Sequence, residues 1–464
     1  MQLLSNEEHS AARRFMISSA VWLCVATIFG LISAIQLFAP DAIRNIPWLV
    51  FGRTRPVHTN SVLFGFVPMG LVGAGLYTVP TLLRTRLYGE RLANLAMWLW
   101  NAALLGAMLT LPAGQTQGRE YTEWIFPVKL PFFASLLLLL YSMVNTVLRR
   151  HEKVLYASVW YLTGAVLWTA MLYPLGNVMW HPRTGALTGT VDAIWAWWYG
   201  HNIFGLFLTP LAIGMAYYII PRIARAPLYS HTLSLIGFWT LLAIYTHIGT
   251  HHLLQAPVPT WLKTISVVDS IAMLVPVLTA LVNLWLTTKG RLGNFTQSAS
   301  GKFVFTGLVW YLITCVQGPM QSLPSVQTYT HFNNWVIGHA HIATLGFSGF
   351  ISLGAVWYVL PLATKRRLYS ENLVNLQFWL ILVGITGFFV VLTTAGLIQG
   401  ASWFNGDTVY KALPLIGPYM GLRAMFGLLI ITGAFVGLYA MIMTLRRGSA
   451  LPQDEGNTPS EGLT

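Results

Sequence analysis

The chain is patterned as long apolar runs separated by short polar connectors. Runs of about 20 residues or more, enough to cross a hydrocarbon core, begin near Phe15, Val57, Arg91, Lys129, Leu155, Thr188, Tyr229, Trp261, Lys302, Phe332, Glu371 and Gly417. They predict an all-α integral membrane protein of about twelve transmembrane helices, because a helix satisfies all its backbone groups internally where no water can. The first run lacks a short apolar stretch followed by a small-residue cleavage site, so a removed signal peptide is not expected. No internal repeat or linker divides the chain. One membrane domain over residues 1–447 is expected, followed by a polar, disordered tail over 448–464, GSALPQDEGNTPSEGLT.

Composition agrees with that pattern. Apolar residues make up 55% of the chain and charged residues 9%, too greasy for a water-soluble domain. The formal charge of +13 is a topological signal. With the N-terminus in the cytoplasm, Lys and Arg are about twice as frequent on that side as on the other, so both termini are expected there. The basic residues flank spans rather than forming a stripe, which argues against nucleic-acid binding. The two cysteines, Cys24 and Cys315, fall in different spans. A disulfide framework or thiolate cluster is therefore not expected. The chain carries no c-type haem attachment motif and no nucleotide-binding loop.

Histidine carries the chemistry. Six of the twelve histidines sit in spans: His58 in RPVHTN, His201 in WWYGHN, His251 and His252 in GTHHLL, and His339 and His341 in VIGHAH. Threaded from a cytoplasmic N-terminus, all six fall at similar depth near the outer surface, a layer that independently placed packing histidines would not produce. His339 and His341 are separated by roughly 200° and about 3 Å of rise, so they face opposite sides of one helix. They cannot share an ion, but each can hold a separate haem. Two axial histidines close a haem iron for electron transfer, whereas one leaves a face open to a gas; His58, on another helix, can complete the closed pair. His201, His251 and His252 offer three imidazoles, a set that suits copper. His251 and His252 diverge by about 100° on a helix and reach one ion only if the backbone bends, which Gly249 and Thr250 make plausible.

RPVHTN, WWYGHNIFGLFLTPLAIGMAYYIIP, IYTHIGTHHLL, QGPM and NNWVIGHAH together resemble the catalytic subunit of cbb3-type cytochrome c oxidases, in the haem-copper oxygen reductase superfamily, over nearly the whole chain. The resemblance implies a bacterial inner-membrane enzyme that reduces dioxygen to water with electrons from cytochrome c, coupled to proton uptake. It implies that His58 and His341 ligate a low-spin haem b, that His339 ligates a high-spin haem b3, and that His201, His251 and His252 bind the copper called CuB. Tyr245 stands where the family joins a tyrosine covalently to the copper histidine of the sixth helix. On a continuous helix Tyr245 and His252 share a face about 10 Å apart in depth. Tyr217, Ser234 and Tyr311 match the family's proton pathway, and Glu120, near Glu123, matches a calcium ligand. His331, Arg53, Arg55 and Arg423 also fall at the outer side, where they are candidates for contact with haem propionates. The implied partners are membrane-anchored mono-haem and di-haem cytochrome c subunits.

Two positions depart from the family. Gln317 replaces a glutamate beside the high-spin haem's histidine, and His247 stands where an aromatic residue is usual; packing is its expected role, on one stripe with His251. A nitric oxide reductase shares the six-histidine layout and is the alternative reading, but it relies on glutamates near its metal and lacks the tyrosine. A transporter is the alternative of a different class, disfavoured by the histidine layer.

Overall fold

The computed structural model describes residues 2–181, 183 and 185–451. Among the described residues, twelve helical segments of 15 residues or more form one bundle: α1 Ser10–Phe38, α2 Phe51–Leu82, α3 Glu90–Thr110, α4 Phe126–Leu148, α5 Ala157–Gly176, α6 Gly189–Ala224, α7 His231–Tyr245, α8 Thr260–Thr288, α9 Ala299–Ser322, α10 Asn334–Thr364, α11 Glu371–Phe404 and α12 Val409–Arg447. Ten are long and apolar enough to cross a membrane; α5 and the short α7 fall outside that group. The chain is thus a multi-pass membrane protein in which the expected count of twelve is approximate. A two-stranded ribbon pairs Trp180–His181 with Gly185–Ala186. Side-chain caps start several helices where the sequence supplies Ser or Asn: Ser230, Ser298 and Ser370 accept from Leu233, Gly301 and Leu373 N–H, and Asn333 opens α10 by accepting from Trp335 N–H at 2.9 Å.

Burial separates the helices into two kinds. In α2, α6 and α10 the most apolar windows are 94%, 89% and 78% buried, against 39% in α1, α4, α8 and α12. The three interior helices are those that carry His58, His201, and His339 with His341. Each also leaves α-helical geometry just past its histidine, in π-helical turns at Ser61–Phe66, Phe204–Leu208 and Ile342–Gly349. Such turns insert a residue, re-aim the side chains that precede them and free backbone carbonyls. In α2 the carbonyls find partners on neighbouring helices: Trp100 Nε1 donates to Phe64 O and Ser19 Oγ to Phe66 O, both at 2.6 Å. Packing around the turn is aromatic, with Phe64, Trp124 and Phe132 meeting edge to face.

Both described termini lie at the opposite end from these histidines. His9 packs on Tyr77 at 4.7 Å, and the chain after α12 returns to the end of α10, where Arg367 N donates to Ser449 O and Leu451 N to Lys365 O. The polar tail expected from Gly448 is thus paired through Leu451; its remainder, 452–464, lies outside the described residues.

At the histidine end a half-buried ion pair ties the connector after α3 to the start of α6. Arg119, 3% exposed, donates through Nε and Nη2 to Asp192 Oδ1 at 2.8 and 2.6 Å and through Nη1 to Gly176 O at 2.8 Å. Asp192→Asn leaves the guanidinium buried without its counter-charge. Because Asp192 is partly exposed, the expected cost is about 2 kcal/mol, read as a lower unfolding temperature of the detergent-solubilised protein.

Candidate functional site

α2 and α10 bring His58 and His341 face to face. Their rings are 19° from parallel with centroids 6.1 Å apart. Each has its Nδ1 committed to a backbone carbonyl, His58 to Ala26 O at 2.7 Å and His341 to Ile337 O at 2.8 Å, which leaves both Nε2 atoms for a metal. An iron with nitrogens at about 2 Å on each side separates two such centroids by roughly 6 Å, so the gap fits one bis-histidine haem. Gly30 on α1 makes room for the His58 ring, since a Cβ there would lie 2.7 Å from its Nδ1. Arg423 on α12 closes one side, 5.3 Å over the Phe388 ring that itself packs on His341. The guanidinium is buried, and its Nε and Nη1 have no hydrogen-bond partner. A buried cation left unpaired beside this gap fits an anionic group such as a propionate.

On the other face of α10, His339 stacks on Trp335 and directs its Nδ1 at Gln317 Oε1, 3.2 Å away. It lines one cavity together with His201, His251 and His252. Ligand nitrogens of these three lie within 4.8 Å of one another, the one group of metal-holding geometry among the described residues. His201 Nδ1 is 3.1 Å from His252 Nε2, close to the edge of a tetrahedron about a metal with bonds of about 2 Å. The divergence of His251 and His252 is resolved by the backbone: α7 stops at Tyr245, and Ile248–Leu253 continues as a 3-10 helix, whose tighter winding and longer rise re-aim both rings. Trp197 stacks on His252 at 4.1 Å.

Tyr245 lies flat against His201, 14° from parallel at 4.6 Å. The approach depends on Gly205, one turn after His201, because a Cβ there would overlap the tyrosine ring. α7 ends at Tyr245 and the chain reaches His252 through the 3-10 turn, with the phenol beside His201 of the sixth helix.

Comparison with known proteins identifies the family of the chain. Residues 10–449 match the family of cytochrome c and quinol oxidase polypeptide I. The chain belongs to that family. A cytochrome c oxidase subunit 1 homolog from Agrobacterium tumefaciens is 33% identical over 93% of this chain and 82% of its own length. The cbb3-type cytochrome c oxidase subunit CcoN1 of Stutzerimonas stutzeri is 30% identical, covering 96% of this chain and 97% of its own. A nitric oxide reductase chain from the same organism is more distant, at 24% identity over 97% of both chains. The cryo-EM structure of a heme-copper terminal oxidase dimer shares the fold, with a TM-score of 0.77 at 16% identity over 94% of this chain and 84% of that one. Haem and copper are the cofactors such a family implies, and the donor sets above fit both.

The remaining candidates of this oxidase-family chain separate by location. Tyr217 is buried with its ring 5.4 Å from Tyr161. Ser234 Oγ donates to His231 O, and Tyr161 OH donates to Ser234 O at 3.4 Å. Tyr161, which no sequence motif marks, thus bridges two of the three proton-path candidates. Tyr311 stacks on Phe347 at 4.3 Å and lines the cavity shared by His201, His251, His252 and His339. At the histidine end of the bundle Glu120 gives both carboxylate oxygens to Arg55, at 2.7 and 3.1 Å, so a calcium ion would have to share the carboxylate with a guanidinium. Arg53 donates to Pro112 O, and His331 pairs with Gln255. Glu123 is buried and accepts from Asn60; burial holds its carboxyl above the ordinary carboxylate range.

His247 does not pack in the interior, nor does it share a continuous helical stripe with His251. It is 57% exposed at its side chain and sits 3.2 Å from Asp269 of α8. The chain leaves α-helical geometry after Tyr245, ahead of both histidines, and the four-residue spacing no longer aligns them.

Proposed function

We propose that this chain is the catalytic subunit of a cbb3-type terminal oxidase, which takes electrons from cytochrome c and reduces dioxygen to water. The observation that carries the reading is the placement of two histidine sites on opposite faces of α10: the His58–His341 gap for a low-spin haem b, and His339 across one cavity from His201, His251 and His252. Bound there, two haems b and a copper ion supply electron storage and a reducible metal pair for dioxygen. The protein positions and protonates. His339 holds the high-spin haem while Gln317 accepts from its Nδ1–H, an amide in place of a carboxylate, which leaves the imidazole less basic. Tyr245, pressed on His201, holds a phenolic proton beside the copper ligands for delivery when the O–O bond breaks. Tyr217, Ser234 and Tyr311, with Tyr161 between the first two, mark the approach of protons from the cytoplasmic side. Arg423 neutralises a propionate, and membrane-anchored cytochrome c subunits bring electrons to the outer face.

Dioxygen is favoured over nitric oxide by Tyr245 at His201; the amide of Gln317 stands where both families carry a carboxylate and does not discriminate between them. Metal and haem analysis of one preparation, combined with oxygen and nitric oxide consumption, tests the reading. Two haems b and one copper per chain, with oxygen consumed faster, are expected. Non-haem iron in place of copper, with nitric oxide the faster substrate, would overturn it.

A further inference from the structure

Neighbouring histidines can serve one metal only while the turn that carries them is held out of α-helical geometry. One face of α8 does the holding. Ser266 Oγ donates to Ile248 O at 2.6 Å, Asp269 Oδ2 meets His247 Nδ1 at 3.2 Å, and Ser270 Oγ lies 2.8 Å from His251 Nδ1. Residues 266, 269 and 270 share a helix face by their spacing, and together they grip residues 247, 248 and 251. Both serines are buried, at 0% and 2% exposure, so neither hydroxyl can turn to water instead.

The hydrogen bonds of Ser270 are directional. Its hydroxyl proton goes to Ser266 O at 2.5 Å, and a serine has only one to give. Towards His251 the Ser270 oxygen therefore presents a lone pair and accepts. The proton between them belongs to His251 Nδ1, which leaves Nε2 unprotonated and free to bind metal. We propose that Ser270 is a positioning residue of the metal site, one that selects the nitrogen His251 offers to copper; the inference rests on the copper reading above. It also gives His247 a role, as the outer arm of the same clamp.

Copper retention by the purified complex, challenged with a cuprous chelator, tests this. Ser270→Ala is expected to lose copper at least about tenfold faster than wild type, in the range typical of lost support behind a metal ligand, while both haem absorption signatures stay unchanged. Ser270→Thr keeps the hydroxyl and should restore retention. Ser266→Ala releases Ile248 O but leaves the Ser270–His251 bond, so its copper should stay within about twofold of wild type on the same scale. Equal retention by Ser270→Ala and wild type would overturn the proposal, and so would equal loss from Ser266→Ala and Ser270→Ala, which would mean general loosening of the turn. If Ser270→Ala assembles without haem, Ser270→Cys takes its place: a thiol is a weaker acceptor of similar size, so faster loss than wild type supports the assignment and unchanged retention rejects it. Wild-type protein that carries no copper would instead overturn the metal reading itself, a result distinguishable from all of these.

Discussion

Replacing His339 with alanine should remove the high-spin haem and abolish oxygen consumption while the low-spin haem remains. The two proposed haem sites share α10 but not their supports. His341 is oriented by Ile337 O within its own helix, and His58 by Ala26 O on α1. His339 is held instead by Gln317 and Trp335 on the opposite side. Its deletion empties one ligand position and leaves the 6.1 Å gap between the other pair untouched. In a reduced-minus-oxidised spectrum the bis-histidine signature should persist, while the carbon monoxide difference spectrum, which requires an open iron, should vanish. Loss of both haems, or retention of both, would contradict the assignment.

Tyr245→Phe should separate chemistry from assembly. The ring fills the space left by Gly205 and stacks on His201, and phenylalanine preserves both contacts, so stability should change by no more than about 1 kcal/mol and haem and copper content should match wild type. What is lost is the hydroxyl. If that group gives its proton in the reaction, turnover should fall by at least about 10²–10⁴-fold, the usual scale for a positioned proton donor. Oxygen consumption per haem is the measurement, and turnover equal to wild type would remove Tyr245 from the chemistry.

The two variants test features that are legible in the sequence to different degrees. The six histidines can be read as one layer because helices crossing a slab of fixed thickness convert position in the chain into depth. The opposite orientation of His339 and His341 follows from helical rotation alone, and the structure places them accordingly. Tyr245 and its place beside the sixth-helix histidine are reached by resemblance, but the winding between it and His252 is not, since the chain changes to 3-10 geometry at Ile248. The same break moves His247 out of the packing role its spacing suggests. Ser270 and Tyr161 carry no signal in the sequence, since buried serines and aromatic residues are ordinary packing elements in apolar spans. Only their partners distinguish them.

By itself the sequence determined that this is a helical membrane protein and which side chains could serve as ligands, because apolar run length, helical rotation and the chemistry of imidazole are local properties. The tertiary structure decided which ligands meet. The π-helical turns after His58, His201 and His341, the 3-10 turn at His251 and His252, and the unpaired guanidinium of Arg423 depend on hydrogen bonds and close contacts supplied by helices distant in the chain. Backbone departures of this kind are stable only when neighbours satisfy the groups they free, and no local pattern records who those neighbours are.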